Sequence, residues 1–402
     1  AGDAALAQQV EQGGHAQAAV QMLMQQHLGQ LAGPVQQVGG QVRLGGRRHR
    51  AMLPDGACAA RLAILPPTHP PHPPIEGTES MKHAVLATLA FSLVATGALA
   101  QPAVIYDMGG KFDKSFNEAA YNGAERWKKE TGKPYLDFEI SNEAQRDQAM
   151  RRMADKGANP IIGVGFAQGS TIEKVAKDFP KLQFAIIDSV VKLPNVESVV
   201  FKEQEGSFLV GMMAALASKS GKVGFIGGMD IPLIRKFQCG YEQGAKFANP
   251  KVEVTANMTG TTPSAWNDPT RGGELAKAQF AKGVDVVFAA AGGTGVGVYQ
   301  AAKDGGKLAI GVDSNQNHLQ PGTMLTSMVK RVDVAVYNLA RKTTPGDSVL
   351  GLKEGGVDYA LDQHNQKLVS ADMKKKVDAA KADIIAGKIK VADYMATNSC
   401  TY

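Results

Sequence analysis

The chain has 402 residues, hydrophobic residues at 44% of its positions and a formal net charge of +6. A chain of this length can bury more than one core, so we expect at least two domains. The positive charge is modest and spread along the chain, with no basic stripe that carries interleaved aromatic residues. This pattern argues against a nucleic-acid-binding protein.

The first 80 residues differ in composition from the rest of the chain. They contain no Phe, Tyr, Trp or Lys, and they are rich in Gln, Ala, Gly and Pro. The proline run from Pro66 to Pro74 can form neither a helix nor a sheet ladder. We interpret residues 1–80 as a disordered leader or as upstream sequence that is translated by mistake, and we expect no function there.

Residues 81–100 are typical of a secretory signal peptide. Lys82 and His83 form a short positive start, residues 84–94 are apolar, and residues 98–100 form a small-x-small cleavage site before Gln101. The apolar stretch is too short to span a membrane, and no Cys follows the cleavage site to carry a lipid. We therefore predict a soluble mature protein in the periplasm.

From Gln101 onward, short apolar strands alternate with amphipathic helices, which is the pattern of parallel α/β layers. The pattern occurs twice, so we expect two similar lobes. The predicted strands are Ala103–Asp107, Tyr135–Ile140, Pro160–Gly165, Gln183–Asp188, Val196–Phe201, Lys222–Gly228, Val252–Met258, Val284–Ala289, Leu308–Val312 and Leu325–Val329. The predicted helices are Phe116–Thr131, Glu143–Lys156, Ser170–Phe179, Gln204–Ser218, Ile234–Ala248, Pro269–Lys282, Gly295–Lys303 and one that begins at Arg331.

Polar residues stand at the carboxyl ends of several predicted strands, where ligands of parallel sheets bind. Asp107, Asp188, Asp313 and Lys330 are the charged members of this set. Three carboxylates and an ammonium form a polar ring that suits a hydroxyl-rich ligand. A single Asp at such a position can equally be a helix cap or a turn residue.

A glycine-rich segment, Asp107–Asn117, joins the first predicted strand to the first helix. Its glycines permit a tight turn, and Asp113 or Ser115 can cap the helix. Phe116 then lies in the first helical turn at the mouth of the sheet. There it can pack into the core or stack on a flat ligand.

Trp266 lies in a polar turn just before Pro269, which is an unusual place for a core residue. An aromatic residue from each lobe can sandwich a planar base, and each stacked face is worth roughly 1–3 kcal/mol. The turn that contains Gly292 and Gly293 has neither the dinucleotide-binding spacing nor a P-loop Lys. We interpret it as a turn whose backbone N–H groups approach a ligand closely.

No catalytic motif occurs after residue 100, where His318 and His364 are the only histidines. We therefore predict a non-catalytic protein without a metal or a cofactor. Cys239 and Cys400 are too few for a disulfide framework, and neither has metal-ligand spacing around it. They can form one bridge or remain thiols, and the sequence leaves both possibilities open.

Six segments, in order along the chain, carry a resemblance to a known family. They are Asp107–Asn117, Phe201–Phe208, Gly227–Pro232, Trp266–Pro269, Gly311–Gln316 and Ser327–Arg331. On these segments, the chain from about Pro102 to Ala396 resembles the basic-membrane-protein family of solute-binding proteins for ABC transporters, which includes purine-nucleoside receptors.

The resemblance implies an α/β type I periplasmic-binding-protein fold. In this fold two Rossmann-like lobes are joined by a hinge of three crossovers and close on the ligand. We expect residues 101–220 and about 331–346 in the N-lobe. We expect residues 221–330 and about 347–402 in the C-lobe.

The resemblance also implies roles for the candidate residues in binding a purine nucleoside. Phe116 would stack on the base, and Trp266 would cover the other face, where the family usually has Phe. Asp107 would contact the edge of the base with help from Asn117.

The ribose hydroxyls would be held by Asp188, Asp313 and Lys330, with the turn at Gly292 and Gly293 nearby. A hydrogen bond to an ionised carboxylate contributes more than a neutral one, and an unpaired carboxylate in a closed cleft is costly. We therefore expect a 2′-deoxy analogue to bind worse than a ribonucleoside.

The predicted function is capture of a purine nucleoside and its delivery to the permease subunits of an ABC transporter in the inner membrane, by a monomer without a cofactor. A free purine base, a flavin or a sugar remains an alternative ligand. An exported nucleoside hydrolase or phosphorylase and a signalling receptor remain alternative functions.

Overall fold

The computed structural model describes residues Gln101–Cys400, so the predicted leader and signal peptide lie outside the described residues. The described part contains twelve strands and ten α-helices. The strands are β1 Ala103–Tyr106, β2 Leu136–Glu139, β3 Ile161–Gly163, β4 Phe184–Ile187, β5 Val196–Phe201, β6 Lys222–Met229, β7 Glu253–Gly260, β8 Val286–Ala290, β9 Leu308–Asp313, β10 Met324–Lys330, β11 Gly346–Leu350 and β12 Val357–Tyr359.

The helices alternate with the strands through most of the chain. They are α1 Phe116–Thr131, α2 Gln145–Asp155, α3 Gly169–Asp178, α4 Glu203–Ala217, α5 Pro232–Ala248, α6 Pro269–Ala281, α7 Gly295–Asp304, α8 Val332–Arg341, α9 Ala371–Ile385 and α10 Tyr394–Thr397. Each of the predicted strands and helices is present within two residues of its predicted ends.

The strands form two six-stranded sheets with equivalent strand orders. The first sheet has the order β11-β5-β4-β3-β1-β2, and all of its neighbours are parallel. The second has the order β12-β10-β9-β8-β6-β7, and only its edge strand β12 runs antiparallel to its neighbour. This arrangement agrees with the predicted two-lobed α/β fold.

The central strands are buried on both faces because helices cover both sides of each sheet. The four residues of β1 and the five residues of β8 are all buried. Helix α4 is apolar around most of its circumference, as expected for a helix that is enclosed on all sides. It packs closely along α5, where a Cβ atom at Gly244 would lie 1.9 Å from the carbonyl oxygen of Phe208.

Between Gln101 and Cys400, the chain crosses between the sheets three times, after β5, after β10 and after β11. These crossings differ from the predicted lobe boundaries at two points. Helix α4 packs along α5 of the second lobe, so the first crossing precedes Glu203 rather than residue 220. Strand β11 pairs with β5, so the first lobe extends to Leu350 rather than to about residue 346. Local sequence does not reveal which sheet an edge strand joins, because that depends on its partner.

The C-terminal segment is fixed to α5 of the second lobe. Cys239 of α5 and Cys400 form a disulfide, which decides the pairing that the sequence left open. The side-chain amide of Gln243 also donates to the carbonyl oxygen of Ala392 at 3.1 Å and accepts from its N–H at 2.8 Å. The last described residues therefore belong to the second lobe.

Candidate functional site

A cavity lies between the lobes, at the carboxyl ends of the central strands of both sheets. Eight of the nine predicted site residues line it: Asp107, Phe116, Asn117, Asp188, Trp266, Gly292, Asp313 and Lys330. The ninth, Gly293, lies beside the backbone of Trp266 and lines an adjoining groove instead. The fold therefore brings together residues from both halves of the chain.

The loop between β1 and α1 is organised by Asp113. Its carboxylate accepts hydrogen bonds from the backbone N–H groups of Ser115, Asn117 and Glu118 at 2.8–3.1 Å. The N–H groups of Asn117 and Glu118 are unpaired donors of the helix N-terminus, so of the two predicted candidates it is the Asp113 side chain that caps the helix, while Ser115 occupies the N-cap position. Burial raises the pKa of Asp113 to about 7, although the three N–H groups oppose this effect.

Asp107 lies at the end of β1 in the wall of the cavity. Its Oδ1 is 3.1 Å from a guanidinium nitrogen of Arg146, in the first turn of α2. Burial raises the pKa of Asp107, and the charge of Arg146 opposes that rise. The amide of Asn117 bonds to the backbone of Asp107 and Gly110. Asn117 thus holds the loop that carries Asp107.

The two aromatic candidates face the same cavity from different lobes. Phe116 is the first residue of α1 in the first lobe, whereas Trp266 ends a short helical turn after β7 in the second. Both side chains are partly buried. The Nζ atom of Lys330 lies 5.1 Å from the ring centroid of Phe116, which is within cation–π range.

The position of Trp266 is fixed by its neighbours. Its indole lies over Gly228, where a Cβ atom would be 2.2 Å from the ring, so a larger residue would displace it. The hydroxyl of Thr294 donates to the carbonyl oxygen of Ala265 and accepts from the N–H of Asp268, both at 2.8 Å. The turn that contains Trp266 is therefore tied to the start of α7.

Asp188 and Asp313 occupy equivalent positions in the two lobes, at the ends of β4 and β9. Both have positive φ angles, 69° and 61°, in the left-handed region that few residues other than glycine adopt. Such backbone strain is concentrated at functional sites. Burial raises the pKa of Asp188 to about 6 and also raises the pKa of Asp313, while the ammonium of Lys330 opposes both shifts.

Lys330 ends β10 and is 1% exposed. Its Nζ atom lies 2.7 Å from Asp188 Oδ2 and 3.0 Å from Glu203 Oε1. Burial disfavours the charged ammonium, but the carboxylates of Asp188, Glu203 and Asp313 outweigh that effect and hold the pKa of Lys330 above its usual value. The other oxygen of Asp188, Oδ1, is buried without a hydrogen-bond partner.

Direct hydrogen bonds join the lobes at the start of α1. The hydroxyl of Ser115 donates to Asp313 Oδ2 at 2.9 Å, and the hydroxyl of Ser314 donates to the carbonyl oxygen of Ser115 at 2.8 Å. The side-chain amide of Gln316 donates to the carbonyl oxygen of Lys114 at 2.9 Å. These bonds close one side of the cavity in this conformation.

Several cavity residues were not predicted from the sequence. The apolar ones are Met108, Phe166, Leu233, Ile234, Phe237 and Val312. Leu233, Ile234 and Phe237 have the spacing of an ordinary amphipathic helix face, which gives no sign that they border a ligand site. Glu203 stands within a segment that carried the family resemblance, but the sequence assigned it no role.

The described part of the chain lacks two features. Residues 101–400 contain no group of three or more His, Cys, Asp or Glu side chains that could hold a metal ion. Among the same residues, no helix has the length and apolar character needed to cross a bilayer.

Known proteins share both the sequence pattern and the fold. The model of the Bmp family, described as ABC transporter substrate-binding protein PnrA-like, matches residues 100–394. The ABC transporter nucleoside-binding protein BmpA of Lactococcus lactis is 32% identical over 357 residues, which cover 77% of this chain and 99% of that protein. The CD4+ T-cell-stimulating antigen of Listeria innocua is 34% identical, and the match covers 72% of this chain and 87% of the antigen.

A solved structure agrees with these relatives. The crystal structure of an ABC transporter solute-binding protein from Aeropyrum pernix superimposes with a TM-score of 0.67 at 30% identity. The match covers 72% of this chain and 92% of the Aeropyrum pernix chain. The family match spans both lobes and every residue of the interlobe cavity. The chain belongs to the Bmp family of PnrA-like substrate-binding proteins of ABC transporters.

Proposed function

We propose that this protein binds a purine nucleoside in the interlobe cavity and delivers it unchanged to the permease of an ABC transporter. One observation carries the proposal: aromatic side chains from both lobes face a cavity that also contains buried carboxylates and an ammonium. A nucleoside has a flat base and a ribose with several hydroxyl groups, and this cavity offers partners for both parts. The name of the Lactococcus lactis relative, a nucleoside-binding protein, supports the same ligand class.

Phe116 and Trp266 are the proposed partners of the base. Each ring lies at the cavity wall of its own lobe, so closure of the cleft can place a base between them. Stacking contributes roughly 1–3 kcal/mol for each base–aromatic contact. Asp107 is the proposed acceptor for an N–H group on the edge of the base, while Asn117 and Arg146 hold Asp107 in place.

Asp188, Asp313 and Lys330 are the proposed partners of the ribose. Asp188 Oδ1 is buried and has no hydrogen-bond partner, which is unfavourable for a buried acceptor. A ligand hydroxyl that donates to this oxygen would supply the missing hydrogen bond. Asp313 accepts from Ser115 across the cleft, and a second hydroxyl can share this carboxylate. The Gly292 turn lines the cavity, and the neighbouring Gly293 lies next to the backbone of Trp266.

We further propose that the mature protein acts in the periplasm as a monomer without a cofactor. Disulfides persist in oxidising compartments, so the Cys239–Cys400 bridge supports export. Membership in an ABC transporter family supports a permease in the inner membrane as the partner. The signal peptide that would direct this export was predicted from sequence and lies outside the described residues.

The test is a binding screen of the purified protein, by thermal unfolding and then by calorimetry, against nucleosides, purine bases, flavins and sugars. A ligand at a hundred times its dissociation constant adds about 2.7 kcal/mol of apparent stability. We expect adenosine, guanosine or inosine to stabilise the protein and ribose alone to have no effect. If only a base, a flavin or a sugar stabilises the protein, that compound rather than a nucleoside is the ligand. Consumption of the nucleoside would indicate a hydrolase.

The matched variant is Asp313→Ala, which should weaken ribonucleoside binding by about tenfold or more without unfolding the protein. The wild-type protein should also bind a 2′-deoxynucleoside more weakly than the ribonucleoside. Affinity that is unchanged in Asp313→Ala would remove this residue from the site.

A further inference from the structure

A chain of buried charges leads from the cavity into the hinge. Lys330 pairs with Asp188 and with Glu203, and the second oxygen of Glu203 lies 3.0 Å from the Nζ atom of Lys236. Lys236 also donates to the carbonyl oxygen of Phe201 at 2.7 Å and lies 3.6 Å from Asp393 of the C-terminal segment. Glu203 thus bridges two lysines, and it is itself 1% exposed.

The two carboxylates that contact Lys330 belong to different lobes. Asp188 follows β4 in the first sheet, whereas Lys330 ends β10 in the second. Glu203 is the first residue of α4, which packs along α5 and against β10 of the second lobe. Opening of the cleft would move Asp188 relative to Lys330, whereas Glu203 lies in the same lobe as Lys330 and can remain beside it.

Lys330 needs a counter-ion in both states because a buried, unpaired charge is strongly unfavourable. Its ammonium is surrounded mainly by aromatic rings, with centroids 5.0–5.6 Å from Nζ. The groups that face it are Phe116 of α1, Asp188 after β4, Phe201 of β5, Glu203 of α4, Phe237 of α5 and Asp313 of β9.

We propose that Glu203 is a positioning residue for ligand binding. It is the contacting carboxylate that belongs to the same lobe as Lys330, and it keeps the ammonium charged and in place when opening of the cleft moves Asp188 away. Asp188 can then exchange its contact with Lys330 for contact with a ligand. This role refines the proposed function, and its effect on ribonucleoside affinity rests on that function. The lowered pKa of Glu203 agrees with it, since the two lysines outweigh the opposing effect of burial.

The test compares Glu203→Gln with the wild-type protein by two measurements. The first is the pH titration of the Lys330 side chain by NMR of ¹³C-labelled lysine, assigned with Lys330→Met. We expect Glu203→Gln to lower the pKa of Lys330 by about one unit or more, because one of its carboxylates is lost. The second is calorimetric affinity for a ribonucleoside, which should fall about tenfold or more.

Two further variants separate positioning from a merely structural role. In Glu203→Gln, Lys236 loses a carboxylate that it pairs with. The double variant Glu203→Gln/Lys236→Met removes this lysine as well, so it should recover stability but keep the altered Lys330 titration and the weak binding. It also provides the test if Glu203→Gln does not fold. In the same helical turn, Glu205 contacts Lys202 and the N–H of Leu352 rather than Lys330, so Glu205→Gln should leave the Lys330 titration unchanged.

The proposal is overturned if the Lys330 titration in Glu203→Gln matches that of the wild-type protein, or if affinity is retained when the titration has moved. A wild-type protein that binds no ribonucleoside would contradict the proposed function instead. In that case the Lys330 titration still decides whether Glu203 is its counter-ion.

Discussion

The two lobes share one strand order but place different side chains at equivalent strand ends. β4 and β9 each lead to an Asp in the left-handed conformation, Asp188 and Asp313. β5 ends in Phe201, whereas its equivalent β10 ends in Lys330. Among the residues that the structure describes, the single cation of the cavity wall therefore comes from the second lobe, and the ring of Phe201 lies 5.0 Å from it. A symmetric scaffold thus carries an asymmetric distribution of charge.

The aromatic candidates are also not equivalent between the lobes. Phe116 follows β1, but the helix that follows the equivalent strand β6 contributes Leu233, Ile234 and Phe237 to the cavity. Trp266 follows β7, whereas the segment after the equivalent strand β2 leads to Arg146, which holds Asp107. The comparison shows that the strand ends define where a ligand can lie, and that the loops define what it contacts.

The largest expected effect concerns the cation that only the second lobe provides. Lys330→Met leaves Asp188 and Glu203 without their shared partner, and removing one member of a buried ion pair costs about 3–5 kcal/mol. Urea unfolding should show a loss of this size. In the first lobe, Lys202 follows β5 and is 40% exposed, so Lys202→Met should cost no more than about 1 kcal/mol. Equal losses in the two variants would contradict this assignment of charge.

The second expected effect concerns the disulfide, which fixes the C-terminal segment to the second lobe alone. Removing it with Cys400→Ala should lower the free energy of unfolding by about 2–4 kcal/mol, because the unfolded chain is no longer constrained. The measurement is urea unfolding with and without a reductant. Reductant should destabilise the wild-type protein and leave Cys400→Ala unaffected, and a wild-type protein that is insensitive to reductant would argue against the bridge.

The third expected effect tests whether both lobes contribute to stacking. Phe116→Ala and Trp266→Ala should each weaken nucleoside binding by about 1–3 kcal/mol, as measured by calorimetry. Phe112 is 60% exposed and does not line the cavity, so Phe112→Ala is the matched control and should bind normally. A loss in only one of the two variants would indicate that the base stacks on one lobe.

The smallest expected effect is a pH dependence of binding. The pKa of Asp188 is raised to about 6, and its ionised form is the better acceptor, so affinity should fall by up to about tenfold between pH 8 and pH 5. Calorimetry over this range measures the change. Asp188→Asn should bind more weakly than the wild-type protein and should lose the change in affinity near pH 6, whereas Asp313→Asn should retain that change.

The stability of the ligand-free protein should change in the opposite sense. Asp113 and Asp188 have raised pKa values of about 7 and about 6 in the folded state, so the folded protein binds more protons than the unfolded chain above about pH 4. Their contribution favours folding at low pH and is lost as pH rises through these values. Urea unfolding of Asp188→Asn should show a smaller change between pH 5 and pH 8 than the wild-type protein.

The amino-acid sequence by itself determined the local elements and most of the candidate site. Apolar runs and helical periodicity depend on neighbouring residues, so β1 to β10 and α1 to α7 were predicted within two residues of both ends, and α8 within one residue of its start. Strand ends mark where ligands of parallel sheets bind, so Asp107, Asp188, Asp313 and Lys330 could be selected before their partners were known.

The tertiary structure alone decided which of these residues meet. The pairing of β11 with β5, the bridge between Cys239 and Cys400 and the bond from Lys330 to Asp188 join residues far apart in the chain; the last pair is separated by 142 positions. Glu203 gave no local signal because a carboxylate at a helix start is common on protein surfaces. Its role depends on two buried lysines that only the packing of α4, α5 and β10 brings to it.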